Sequence, residues 1–383
     1  MSHPQRRSVC RPGVLRGVVT RAILVLCSSL IAFGAAELAL RWRFGRPVTV
    51  EGDWIDLTKL GFRYGTYRTK KDPMTVRVVG IGDSFAFAPV APPHNYHQVL
   101  EGMLRSRLGR PVEVINLGRP GIGPAAEFTI LRDLAMRFEP DLVVWMFFTG
   151  NDFTDDQPGT TYDLAEVLGT PSWMNARVDS MRLRWYDRFL LSGYVKFLLA
   201  CLSHAEIAAS DSTNVPVANQ ATFLRVECQR MSFMLDDGAL KSAFGKSVRP
   251  HIDAAIELST RRSIPFVLAV APDQAEIEED LGRMTLRRLT AADRLEASDR
   301  VAYAECLRDG DLKQLTVAHD SLATFTARGA TVVDLYESFR REGASGGLYL
   351  ERHTHWNEAG NRLAAEVLVD PVVACLRTSK ETR

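Results

Sequence analysis

Four short segments carry side chains able to do acyl chemistry. Gly82-Asp83-Ser84-Phe85 presents a serine just after a glycine. Gly118-Arg119-Pro120-Gly121-Ile122-Gly123 is a glycine-rich turn. Thr149-Gly150-Asn151-Asp152 offers an asparagine amide, and His353-Thr354-His355-Trp356 offers an imidazole. A serine hydroxyl is a weak nucleophile until a base takes its proton, and imidazole is the side chain suited to that near neutral pH. The charge that then develops on a carbonyl oxygen needs N–H donors. A glycine turn at a strand end can aim backbone amides at it, and asparagine can donate without changing charge. Taken singly, the segments read first as a helix-capping serine, an ordinary βα turn, a turn asparagine and a loop histidine. Their order and setting carry the meaning.

That setting is a run of alternating elements. Val76–Ile81, Val112–Ile115 and Leu142–Phe148 read as strands that are apolar on both faces. Helical spacing of apolar residues separates them, at Asn95–Leu108 and Ala125–Phe138. Continuously apolar strands alternating with helices imply a parallel sheet covered on both sides, an α/β fold. In such sheets ligands bind beyond the carboxyl ends of the strands. Ser84, the glycine turn and Asn151 each follow one of these three strands. The alternation lapses between about 153 and 246, which reads as a largely helical insertion. It contains an amphipathic basic stretch, Met181–Leu202, read either as a helix packed over the domain or as a membrane-surface contact. Alternation resumes with a helix at His251–Arg262 and a strand at Pro265–Val270. A long helical excursion, a strand at Ala330–Leu335 and a last helix at Ala359–Leu368 follow. His355 therefore lies on the loop before the final helix.

The set of four resembles the SGNH (GDSL-type) hydrolase family, over about residues 76 to 370. The resemblance implies a flavodoxin-like three-layer sandwich with a five-stranded parallel sheet in the order 2-1-3-4-5. It implies Ser84 as nucleophile, Gly121 as oxyanion glycine (Gly123 or Gly118 as substitutes), Asn151 as oxyanion amide and His355 as base. No metal or cofactor is implied. One departure stands out. The family places an Asp two or three residues before the histidine, where this chain has His353 and Arg352. The group that orients the base is then Glu351, a backbone carbonyl, or nothing at all. The His355-Trp356 pair is similar to that of SGNH-like proteins that acetylate exopolysaccharides. The implied function is a serine esterase or O-acyltransferase acting on an acyl ester substrate, with a polysaccharide as one candidate. The alternative is a catalytically weak or inactive glycan-binding or assembly protein that has kept the fold.

The rest of the chain bounds these readings. With 47 basic and 46 acidic residues among 383, the net charge is +1, so no chain-wide nucleic-acid surface is expected. Charge is unevenly placed, however. Residues 1–21 form a basic tail with Arg6, Arg7, Arg11, Arg16 and Arg21, followed by an apolar run at 22–40. The run reads as a single-pass transmembrane anchor with the catalytic domain extracytoplasmic; a cleaved signal peptide and a buried helix are the competing readings. Residues 41–75 read as a tether packing onto a domain at 76–376. His94 and His97, in the Pro-rich segment after the first strand, are read as cleft-lining or solvated. Cys201, Cys228, Cys306 and Cys375 lie in the body, and Cys228 with Cys306 is the expected pair if the domain is exported.

Overall fold

The computed structural model describes residues 12–44, 52–169, 219–291 and 317–381. The chain divides into two compact units, Met1–Arg46 with Ser180–His204, and Pro47–Asp179 with Ala205–Arg383. All four candidate segments belong to the second.

That unit begins with a small antiparallel hairpin, β1 (Trp54–Asp56) and β2 (Thr66–Arg68). Between its strands, Leu57 and Leu60 lie on a short 3-10 turn and are buried, as are Ile55 and Phe62. Four apolar residues of the 41–75 segment are thus part of the core. Five parallel strands follow: β3 (Val76–Gly82), β4 (Val112–Gly118), β5 (Leu142–Phe148), β6 (Phe266–Ala271) and β7 (Thr331–Asp334). Their order is β4-β3-β5-β6-β7. With the hairpin set aside, this is the expected 2-1-3-4-5.

Successive side chains on a strand face opposite sides of a sheet, and both sides here are covered. Val79, Ile81, Ile115, Val143, Trp145 and Phe147 join one apolar core. It includes residues of the helices Pro124–Asp133, Gln220–Met234 and Arg249–Arg261. Val78, Val114, Val144, Met146 and Phe148 join the other, with residues of Tyr96–Leu108, Tyr336–Gly343 and Glu358–Glu381. The last helix runs well past the expected Leu368 and through Pro371, because Val372, Val373 and Leu376 continue its buried stripe.

The described residues of the insertion include the helices Leu164–Gly169, Gln220–Met234 and Asp237–Ala243, with a π-helical turn at Phe244–Val248. The stretch Met181–Leu202 lies outside the described residues, as do Cys201 and Cys306, so the expected Cys228–Cys306 pair falls outside them too.

At the N-terminus, Pro12–Phe44 form one helix of 33 residues. The expected membrane crossing is not supported by it: among the described residues, no helix is long and apolar enough to cross a membrane. Glu37 interrupts its apolar run.

Candidate active site

The site is built at the carboxyl edge of the sheet. β3 ends at Gly82, and the chain turns at once into a single helical turn, Ser84–Phe87. Asp83 caps that turn by accepting a hydrogen bond from the Phe85 N–H at 2.8 Å. Capping therefore falls to Asp83, which leaves the Ser84 hydroxyl available for other partners. The turn can sit so low on the sheet because the end of β4 is glycine. A Cβ on Gly118 would come within 2.2 Å of the Phe87 nitrogen. Gly118 is thus a packing residue. The turn that follows β4 starts beside the serine strand, since the Arg119 N–H donates to the Gly82 carbonyl at 3.0 Å. Gly121 sits in it with φ of +67°, a left-handed conformation suited to glycine. Gly123 instead serves as N-cap of Pro124–Asp133, where a Cβ would strike Asp156.

After β5, Asp152 folds back and accepts from the Phe148 N–H at 2.7 Å, which closes the turn carrying Asn151. The Asn151 amide donates to Asp155 Oδ2 at 2.8 Å, and it also lies close enough to Asp83 to favour that carboxyl's charged form. Burial has the larger effect on Asp83 and pushes it up to about 6. Burial likewise pushes Asp152 and Glu127 well above the usual carboxylate range, and Asp156 up to about 6.

His355 comes from a loop pinched at its base. Tyr349 and Trp356 form a β-bridge, and the Leu350 N–H donates to the His355 carbonyl at 2.8 Å. Trp356 is buried, edge-on to Phe85 with ring centroids 4.9 Å apart. It fastens the histidine loop to the serine turn from beneath. His355 Nε2 lies 2.7 Å from Ser84 Oγ, across 271 residues of sequence. The same hydroxyl is 3.1 Å from Asp83 Oδ2, so its one proton has a nearer acceptor in the imidazole.

The other imidazole nitrogen, Nδ1, lies 3.1 Å from the His353 carbonyl oxygen and 3.1 Å from His353 Nδ1. An N–H at Nδ1 donates to these acceptors and leaves Nε2 free to take the serine proton, which is the tautomer a base requires. Burial, with His353 and Arg230 nearby, pushes His355 down to about 3, so the ring is neutral near pH 7. Burial and Arg230 also lower His353. The Glu351 side chain is 77% exposed and accepts from Arg352 Nη2 at 2.9 Å. Of the orienting groups left open by the sequence, the backbone carbonyl is the one within reach of Nδ1, and the tight loop turns residue 351 outward.

His94 and His97 are not at the site. His94 is exposed, 3.7 Å from Glu358. His97 is buried against β3, where its ring fills the space above Gly80. Contacts that sequence reasoning missed come from the insertion: Glu227 and Arg230 both bond the Thr354 hydroxyl. Their only trace in the sequence is a charged pair three residues apart within the apolar run Phe223, Leu224, Met231 and Met234. Among the described residues, no cluster of three His, Cys, Asp or Glu side chains is arranged to hold a metal ion.

No protein-family model and no curated protein matches the chain. Among solved structures, the chain is similar to an acetyl xylan esterase, AlAXEase (TM-score 0.38, 15% identity, covering 78% of this chain and 100% of that one). It is similar also to a putative lipolytic protein of the G-D-S-L family from Desulfitobacterium hafniense (TM-score 0.37, 13% identity, 77% and 98%). A third is an acetylxylan esterase from Geobacillus stearothermophilus (TM-score 0.38, 11% identity, 80% and 96%).

Proposed function

We propose that this chain is a serine esterase of the SGNH type, with Ser84 as nucleophile and His355 as base. One observation carries the reading: Nε2 of His355 is 2.7 Å from the Ser84 hydroxyl while Nδ1 is held by the His353 carbonyl. His355 takes the Ser84 proton as Oγ attacks the ester carbonyl. The oxyanion is met by N–H donors at Ser84 and Gly121 and by the Asn151 amide. His355 then returns the proton to the departing alcohol oxygen, leaving an acyl-serine. Water attacks the acyl-serine in hydrolysis, and a sugar hydroxyl attacks it in O-acyl transfer. The His355–Trp356 resemblance makes ester groups of an extracytoplasmic carbohydrate the preferred substrate class. Supplying an O-acetylated oligosaccharide and following acetate release tests this. Ser84→Ala should abolish release; undiminished release would exclude serine catalysis.

Membrane anchoring through the N-terminal helix belongs to the same proposal. Exposed Ile23, Leu24, Val25, Leu26, Leu30, Ile31 and Leu38 support it. The full chain should then float with lipid vesicles and a chain starting at Pro47 should not. Equal flotation of both would remove the anchor.

A further inference from the structure

The histidine loop is strained, and something must hold it. Arg352 and Thr354 have φ of +50° and +51°. A positive φ is rare for any residue with a side chain and a marked outlier for a β-branched one. Such conformations cost of the order of 1–3 kcal/mol each and persist only where their surroundings over-determine them. Thr354 sits between the two histidines, so its backbone sets the direction of both His353's carbonyl and His355's ring.

Its hydroxyl is used twice. It donates to Glu227 Oε1 at 2.7 Å and accepts from Arg230 Nη1 at 2.5 Å. Glu227 and Arg230 are themselves 3.2 Å apart. Arg230 lies over the Phe148 ring, 5.3 Å from its centroid, and 3.7 Å from Asp273 Oδ2. The grip is thereby fixed to the carboxyl ends of β5 and β6. Thr354 and Glu227 are both buried.

We propose that Thr354, gripped by Glu227 and Arg230 of the Gln220–Met234 helix, is the positioning residue that takes over the task of the absent loop carboxylate. It holds the 352–355 segment so that Nδ1 of His355 stays on the His353 carbonyl and Nε2 stays on Ser84. The helical insertion is then part of the catalytic apparatus. This inference rests on the Ser84–His355 reading above.

Thr354→Gly separates positioning from structure. Glycine accepts the positive φ without strain, which offsets part of the stability lost with the hydroxyl's two hydrogen bonds, while the grip itself is lost. On 4-nitrophenyl acetate, kcat should fall about 100-fold, the cost of a small misplacement of a reacting group, with KM little changed and cooperative unfolding retained. Thr354→Ser keeps the hydroxyl and should restore most of the rate. Thr354→Val, which keeps the shape and removes the hydroxyl, should show the same loss in kcat. Native turnover in Thr354→Gly would overturn the proposal, as would failure of serine to restore it. Ser84→Ala, assayed alongside, tells two failures apart. If Ser84→Ala is dead and Thr354→Gly is fully active, the positioning role alone is wrong. If Ser84→Ala is fully active, the esterase reading is wrong and the positioning role falls with it.

Discussion

At the scale of the residue, neighbouring polar groups divide the capping and orienting contacts of the candidate site between them. Asp83 caps the turn, so Ser84 need not. The His353 carbonyl accepts from Nδ1 of His355, so Nε2 faces the nucleophile. In serine proteases a carboxylate does this orienting and also stabilises the imidazolium. A carbonyl dipole can orient just as well but carries no full charge. Glu351 is the nearest carboxylate in sequence, yet its exposed side chain pairs with Arg352. Glu351→Gln should therefore leave turnover within about twofold of native. A fall approaching 10⁴, the loss seen when a triad Asp becomes Asn, would mean that Glu351 swings inward during the reaction.

At the scale of the element, buried charge ties the sheet to the helices that follow it. His319, in the helix Ala318–Ala323, bridges Glu276 Oε1 at 3.2 Å and Asp334 Oδ2 at 3.0 Å. Glu276 also accepts from the Thr149 hydroxyl and the Asp273 N–H, so the ends of β5, β6 and β7 meet in one network. Burial opposes a charge on His319, but Glu276 and Asp334 outweigh it and raise the imidazole from 6.5 to about 9. A pKa raised by folding stabilises fully below the unfolded value, near 6.5, and the gain is lost as pH rises through about 9. The gain is roughly 3 kcal/mol below pH 6.5. Denaturant titrations of native and His319→Gln protein should show a stability gap at pH 6 that narrows markedly by pH 10. An equal gap at both would mean that packing, not charge, is what His319 contributes.

The strands were legible in the sequence because both faces are apolar, and Leu142–Phe148 is matched to the residue. The final helix was read short, because its buried stripe beyond Leu368 straddles a proline that normally ends a helix. The orienting group was legible only as a choice. A backbone carbonyl carries no residue type, so only the path of the loop could select it.

At the scale of the whole molecule, the site joins segments that are distant in the chain. Ser84 and His355 are separated by 271 residues, and Arg230 and Thr354 by 124. The first pair was legible because serine and histidine each lie in a recognisable context. The second was not, since Thr354 and a Glu–Arg pair on an insertion helix signal nothing until the fold brings them together. The insertion reaches the same edge of the sheet as the serine, and its described helices share a core with β3, β4 and β5. It is integral to the unit that carries the chemistry.

The central claim is that Ser84 is a nucleophile activated by His355, and covalent labelling tests it most directly. The intact, folded protein is incubated with a fluorophosphonate and weighed by mass spectrometry. One adduct is expected, on Ser84, lost in Ser84→Ala and formed far more slowly in His355→Ala. A folded native protein that takes up no label, or a Ser84→Ala protein that still does, would contradict it.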